Sequence, residues 1–167
     1  MQKSLILARA VVGTPIGKII IETDDSNILR LEIAPSASEA AEFQKTEPSR
    51  ALAGLAVTQV SEYFAGTRKD FDLPTRLQGT SFQKSVWDQI STIEFGEQLT
   101  YGEIATRIGN PAASRAVGAA VGANPVPIII PCHRVMGSSR KITGYSGGEG
   151  IPTKKWLLNF ERIEFVD

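Results

Sequence analysis

Hydrophobic and polar positions divide the chain into two halves with different periods. In the first, residues 11–12, 16–22 and 28–33 form short β-branched runs, separated by the turn residues Gly13-Thr14-Pro15 and Asp24-Asp25-Ser26-Asn27. That spacing predicts an antiparallel meander. Ser36 with Glu39 has the form of a capping box for a short helix. After Pro48 the residues Leu52, Leu55, Ala56, Val60, Tyr63 and Phe64 recur at helical spacing until Gly66 stops the run. Sheet and helices together predict a compact α+β half. Residues 67–74 read as a connector in which Phe71 and Leu73 dock on a neighbour, and the boundary falls near Leu77. The expected units are therefore 1–77 and 78–167.

The second half carries the helical period. Thr80 with Gln83 and Thr100 with Glu103 are capping-box pairs, and each precedes an apolar stripe. Phe82, Val86, Ile90 and Ile93 form the first stripe; Ile104, Ala105 and Ile108 form the second, which Gly109 ends. Asn110-Pro111 then has the form of an N-cap with proline at the first helical position, so a third helix is expected to begin at once through PAASRAVGAAVGA. Two short helices across so tight a turn predict a helix-turn-helix. The later helix is Ala, Gly, Val and Ser apart from Arg115, a surface smooth enough for close contact. An adjoining helix and a nucleic-acid groove entered by that arginine fit the surface equally well. Asn124-Pro125-Val126-Pro127 cannot continue the helix, and residues 128–130 are expected as a buried extended segment leading to Pro131-Cys132-His133.

Composition narrows the function classes. The 167 residues are 42% hydrophobic and 22% charged, a globular balance sufficient for one good core or two small ones. No apolar run approaches the roughly 18 to 20 residues that span a bilayer, and the opening MQKSLILARAVVGTP lacks an export signal's apolar segment and cleavage site. The expected location is the cytoplasm, or the nucleus in a nucleated cell. One cysteine excludes an internal disulfide, and one cysteine with one histidine cannot furnish the four soft ligands of a zinc site, so no metal is expected. Net charge is zero. Yet between residues 101 and 141 the cations Arg107, Arg115, Arg134, Arg140 and Lys141 meet Glu103 alone. A solvated face is the usual meaning of such a cluster, and a phosphate-binding surface the sharper one.

Candidate chemistry concentrates in IIIPCHRV, which holds the chain's only cysteine and only histidine as neighbours. A lone cysteine in an apolar run is most often a small buried hydrophobe, and a lone histidine a satisfied structural group. Against that stand the adjacent His133 and Arg134, suited to stabilising a thiolate, and Gly144-Tyr145-Ser146-Gly147-Gly148, whose glycines and hydroxyls suit close approach of a ligand. A free thiol titrates near about 8.5, so a nucleophilic cysteine needs a base in reach or positive potential nearby.

Pro131-Cys132-His133-Arg134-Val135, with Asn124-Pro125 before it and Gly144-Tyr145-Ser146-Gly147-Gly148 after it, closely resembles the O6-alkylguanine-DNA alkyltransferases. The likeness runs from about Gly79 to Glu161 and includes FQKSVWDQISTI, TYGEIA and SRAVGAAVGANPVPIIIPCHRV in the family's order and spacing. The first half is similar only in size, strand content and a TPIG turn. The resemblance implies a ribonuclease-H-like N-terminal domain and a winged helix-turn-helix-like C-terminal one. It also implies irreversible, single-use transfer of an alkyl group from the O6 of guanine, or the O4 of thymine, to Cys132, without a cofactor. His133 would act through a water as general base, held by Glu161, and Asn124 would order the active-site turn.

Further roles follow from the same likeness. The partner would be double-stranded DNA containing alkylated guanine, bound by a monomer with no membrane involved. The lesion would be flipped out of the duplex, with Arg115 taking its place in the stack and Tyr101 helping to rotate the nucleotide. Ala116, Gly118, Ala119 and Gly122 would allow close approach to the minor groove. Tyr101, the backbone of Val135, Tyr145, Ser146 and Gly147 would form the base pocket. The N-terminal zinc ligands of some relatives are missing here, so the likeness brings no structural metal with it. Two other readings of the residues are a non-catalytic helix-turn-helix lesion binder with a structural cysteine, and a cysteine-dependent hydrolase.

Overall fold

A computed structural model describes residues 5–34 and 40–167. The chain divides into two compact units, Met1–Leu77 and Gln78–Asp167. The capping box at Ser36 and Glu39 lies outside the described residues.

The N-terminal unit is a four-stranded antiparallel sheet in the order β3-β2-β1-β4. Its strands are β1 (Ala8–Thr14), β2 (Gly17–Thr23), β3 (Ile28–Ala34) and a short β4 (Phe43–Gln44) that sequence patterning did not reveal. Strand alternation places Ala8, Ala10, Ile19, Ile21, Leu31 and Ile33 in the core. Helix α1 (Glu47–Phe64) packs on β1 and β2. The Thr46 side chain caps it and a proline sits in its first turn. The buried face of α1 is Ala53, Ala56, Val60 and Tyr63, so three residues of the expected stripe are buried and its centre is turned by only about a tenth of a turn. Leu55 accordingly stands at the surface. The connector is held by the buried amide of Gln59, which donates to the Asp72 carbonyl at 3.1 Å and accepts from its N–H at 2.9 Å. Phe71 packs against Tyr63 with ring centroids 5.5 Å apart.

The C-terminal unit is helical with a two-residue parallel pairing of β5 (Leu99–Thr100) and β6 (Val135–Met136). Helices α2 (Ser81–Ile90) and α3 (Tyr101–Arg107) each begin with a complete capping box, Thr80 with Gln83 and Thr100 with Glu103. Helix α4 is Ser114–Gly122 and α5 is Ile151–Phe160. The start of α4 departs from expectation. Asn110 closes a turn by accepting from the Ala113 N–H at 3.0 Å, and the helix begins only at Ser114 with no side-chain cap. An Asn-Pro pair serves a tight turn as readily as a helix start. The indole N–H of Trp87 hangs α4 from α2, donating to the Ala120 carbonyl at 2.8 Å, and Gly79 makes room for that ring: a Cβ there would lie 2.6 Å from it. With Val117, Ala120 and Val121 buried, α4 turns Arg115, Ala116, Ala119 and Gly122 to the surface.

Candidate functional site

Cys132 sits at the end of a turn that leaves it little freedom. Residues 128–130 are a tight turn rather than the expected extended segment. Ile128 holds a left-handed φ of 73°, and the Ile130 N–H donates to the Val126 carbonyl at 2.9 Å. Asn124 organises this turn from both ends, donating through Nδ2 to the Ile130 carbonyl (2.8 Å) and accepting at Oδ1 from the Val126 N–H (3.0 Å). The chain then enters a short 3-10 turn, Cys132–Arg134, so the two neighbours Cys132 and His133 are not on an extended strand. Three hydrogen bonds within seven residues fix the approach to the sulfur from the N-terminal side.

Cys132 is 4% exposed and lines a cleft of about 310 Å3. Tyr101, Gly118 and Gly122 come from α3 and α4; Thr143, Tyr145 and Ser146 come from the loop that follows β6; Lys154 comes from α5. The rim is tied together by Ser146 Oγ, which donates to the Gly122 carbonyl at 3.1 Å, and by the 3.2 Å pair of the Thr143 and Tyr101 hydroxyls. Burial pushes the Cys132 thiol up, while hydrogen bonding from Asn124, the Lys154 charge and hydrogen bonding from Tyr145 pull the other way. The sulfur is therefore reactive only through its neighbours.

Behind the cleft lies a fully buried charge cluster. Glu161 Oε1 pairs with His133 Nε2 at 2.8 Å, and the Arg134 guanidinium donates to both oxygens, Nε to Oε2 at 2.7 Å and Nη2 to Oε1 at 2.8 Å. The third arm of the guanidinium reaches the Ile93 carbonyl at 2.6 Å, and the group lies over the Phe95 ring. Burial opposes ionisation of Glu161, but the hydrogen bonds and charges of His133 and Arg134 outweigh it and hold the carboxyl below the usual carboxylate range. Burial keeps His133 neutral, with Arg134 and Lys154 adding to the effect against the pull of Glu161. An ionised carboxylate only accepts, so Nε2 carries the ring hydrogen and Nδ1 the free lone pair. Nδ1 is buried and has no hydrogen-bond partner among the described residues. A neutral imidazole with its lone pair bare is the form required of a base.

The sequence reading missed the pairing of one residue here and the whole of another. Arg134 was expected to stabilise a thiolate and was counted in the local cluster of cations, yet it is 5% exposed and spent on Glu161. Lys154 is 1% exposed; its ammonium donates to the Val135 carbonyl at 2.6 Å and the Gly144 carbonyl at 3.3 Å, and burial pushes it down to about 8. A signal for Lys154 was present: with Leu157, Leu158 and Glu161 it falls on one face of α5, a cation inside an apolar stripe. Of the expected pocket residues, Tyr101, Tyr145 and Ser146 line the cleft. Val135 does not, being fully buried with its carbonyl engaged by Lys154, and Gly147 instead accepts from the Gly150 N–H in the turn before α5.

Beside the cleft runs a shallower groove of about 500 Å3, with Ser114 and Arg115 on the α4 side and Ser138 and Thr143 on the loop side. Its lining is hydroxyl-rich with an exposed arginine. Among the described residues no helix is long and apolar enough to cross a membrane, and no group of three or more His, Cys, Asp or Glu is placed to hold a metal.

Comparison with known proteins covers both units. Residues 7–77 match the family model of the 6-O-methylguanine DNA methyltransferase ribonuclease-like domain, and residues 81–163 that of the same family's DNA binding domain. A Mycolicibacterium paratuberculosis protein named methylated-DNA–protein-cysteine methyltransferase is 45% identical over 151 residues, 90% of each chain. The crystal structure of Mycobacterium tuberculosis O6-methylguanine methyltransferase superposes with a TM-score of 0.77 at 41% identity, covering 95% of this chain and 93% of that one. The structure of Mycobacterium tuberculosis OGT in complex with DNA gives 0.78 at 40% identity, covering 92% of both.

Proposed function

This chain belongs to the 6-O-methylguanine DNA methyltransferase family, and on that premise we propose that it repairs DNA directly, moving an alkyl group from the O6 of guanine to Cys132. The observation that carries the reading is the placement of the cysteine. Its sulfur lines a cleft sized for one base, with a neutral imidazole locked by Glu161 and Arg134 on its inner side and the Lys154 ammonium in the cleft itself.

The reaction proceeds in balanced steps. The thiol proton leaves through the His133 lone pair, by way of a water, and the thiolate attacks the alkyl carbon. The carbon–O6 bond breaks as the carbon–sulfur bond forms, and the electron pair passes to the guanine oxygen. The guanine then takes back one proton, leaving normal guanine and a neutral thioether. Lys154, held by the Val135 and Gly144 carbonyls, places positive charge where both the thiolate and the departing guanine oxygen carry negative charge. Nothing regenerates the thiol, so each chain reacts once.

The lesion lies inside a duplex, so the nucleotide must be flipped into the cleft. Arg115 stands on the exposed face of α4 with Ala116, Ala119 and Gly122, small enough to let the backbone approach a minor groove while the arginine fills the vacated stack. Tyr101 lines both the cleft and the groove, at the point where the nucleotide turns. Intact mass after incubation with an O6-methylguanine duplex tests the reading. One methyl per chain, located on Cys132, is the expected result; turnover of several guanines per chain overturns it.

A further inference from the structure

The loop between β6 and Ile142 contains two successive non-glycine residues in the left-handed region, Ser139 (φ 59°) and Arg140 (φ 63°). Side chains rarely adopt that conformation, and glycine adopts it freely. Here the surroundings impose it. The loop is closed at its base by the Gly137 N–H, which donates to the Lys141 carbonyl at 2.7 Å, and its far side is tied down where the Arg140 carbonyl and the Ile142 N–H bond to Val166, both at 2.9 Å. Gly137 itself cannot be enlarged, because a Cβ would meet Thr143 at 2.6 Å. Such strain persists where the residue held in it has a task.

The side chain of Arg140 has no tight partner to justify the strain. It reaches Glu103 Oε2 at 3.4 Å and the Gln98 carbonyl at 3.5 Å, with both members of the ion pair nearly half exposed. Glu103 does not depend on it, since the same carboxylate oxygen accepts from the Thr100 N–H at 2.6 Å and that bond caps α3. What the loop does border is the hydroxyl-lined groove: Ser138 and Thr143 form the wall facing Ser114 and Arg115. Lys141, next in the chain, is exposed. Arg115 lines one wall of this hydroxyl-bearing groove, and Arg140 and Lys141 belong to the loop that supplies the other through Ser138 and Thr143, an arrangement that suits the phosphodiester backbone of a nucleic acid, whose oxygens accept from all of these groups.

We propose that Arg140 is a DNA-backbone clamp: it rests on Glu103 in the free protein and moves to a phosphate when a duplex enters the groove beside Arg115. This rests on the DNA reading above and adds a second contact wall to the α4 surface. The loose pairing makes the exchange cheap, because a half-exposed ion pair at that distance holds little energy.

Arg140→Gly separates the clamp from a structural role by the sign of two effects. If Arg140 serves DNA, the variant loses about tenfold in affinity for an unalkylated duplex and its log-affinity against log-salt slope shrinks by about one, while its thermal midpoint holds or rises as strain is released. If Arg140 only braces α3, the thermal midpoint falls and the slope matches the wild type, which overturns the proposal. Arg140→Lys keeps the charge and is expected to keep the slope; a slope reduced as far as in the glycine variant assigns the effect to loop shape and also overturns it. Failure of the wild-type protein to bind duplex or to take up methyl would instead defeat the parent reading.

Discussion

Glu161, His133 and Arg134 are held by hydrogen bonds of 2.7 to 2.8 Å with 0%, 0% and 6% of their side chains exposed, whereas Arg115, Arg140 and Lys141 stand near or at the surface and Arg140 reaches Glu103 only at 3.4 Å. The same unit therefore keeps charge in two ways. The buried cluster has every strong donor and acceptor committed except one imidazole lone pair, so it has a single arrangement and one available act. The surface cations are more loosely held, as in the 3.4 Å pairing of Arg140 with Glu103, and loosely held cations can change partners. In the proposed function, chemistry falls to the buried cluster and recognition to the loose one.

The sharpest break between the two is Cys132→Ser. A hydroxyl is far harder to ionise than a thiol, so methyl uptake by intact mass is expected to vanish while duplex affinity stays within twofold or so. Next in size is Glu161→Gln, which leaves Arg134 buried without a counter-charge. It is expected to cost about 3 to 5 kcal/mol in urea unfolding and to slow alkylation by free O6-alkylguanine base. Arg115→Ala acts on the other cluster alone: repair of duplex is expected to slow by about tenfold or more, with little change in the rate on free base. Equal losses on both substrates would remove its role in flipping.

A smaller effect is read through pH. His133 is the chain's only histidine, and burial holds its native value below the ordinary one of about 6.5. Below that value the unfolded chain takes a proton that the native chain refuses, so stability falls on acidification. Glu161, held low, keeps its full contribution until the ordinary carboxylate value of about 4.3 is passed and loses it as pH falls further. The slope of the urea midpoint between about 6.5 and 4.3 thus belongs mainly to His133, and His133→Gln is expected to flatten it. Smallest of all is Arg50→Ala, which removes an exposed ion pair with Glu47 and is expected to shift stability by no more than about 0.5 kcal/mol.

What the sequence disclosed follows the range of the interactions involved. The caps at Thr80 and Thr100 were legible because each is closed by a residue three positions on. The meander of β1 to β3 was legible from β-branched runs and the turn residues between them, which are local signals as well. The start of α4 was misread because Asn110-Pro111 satisfies two local rules and only packing chooses between them. Within the stripe of α1 only Leu55 was misplaced, because it is as apolar as its buried neighbours and the face is set by where the sheet lies. Cys132 and His133 stood out as the chain's only cysteine and only histidine, side by side, whereas Glu161 was named through resemblance to a family. The Arg134 pairing closes across 27 positions and depends on where α5 ends, which no local pattern records. The 3-10 turn at Cys132 likewise depends on the left-handed Ile128, a conformation that an isoleucine does not advertise.

The hydrogen bond from Trp87 to the Ala120 carbonyl has a practical side. The chain has two tryptophans: Trp87, from which α4 hangs, and Trp156, stacked on Phe160 in the helix that also carries Lys154. Each indole is thus tied to one of the two helices used in the proposed function, α4 with Arg115 and α5 with Lys154. Displacement of α4 would lengthen or break the Trp87 bond and change the polarity its ring senses, so on that reading docking is expected to register in the protein's own ultraviolet emission, where it can be followed in real time without a dye.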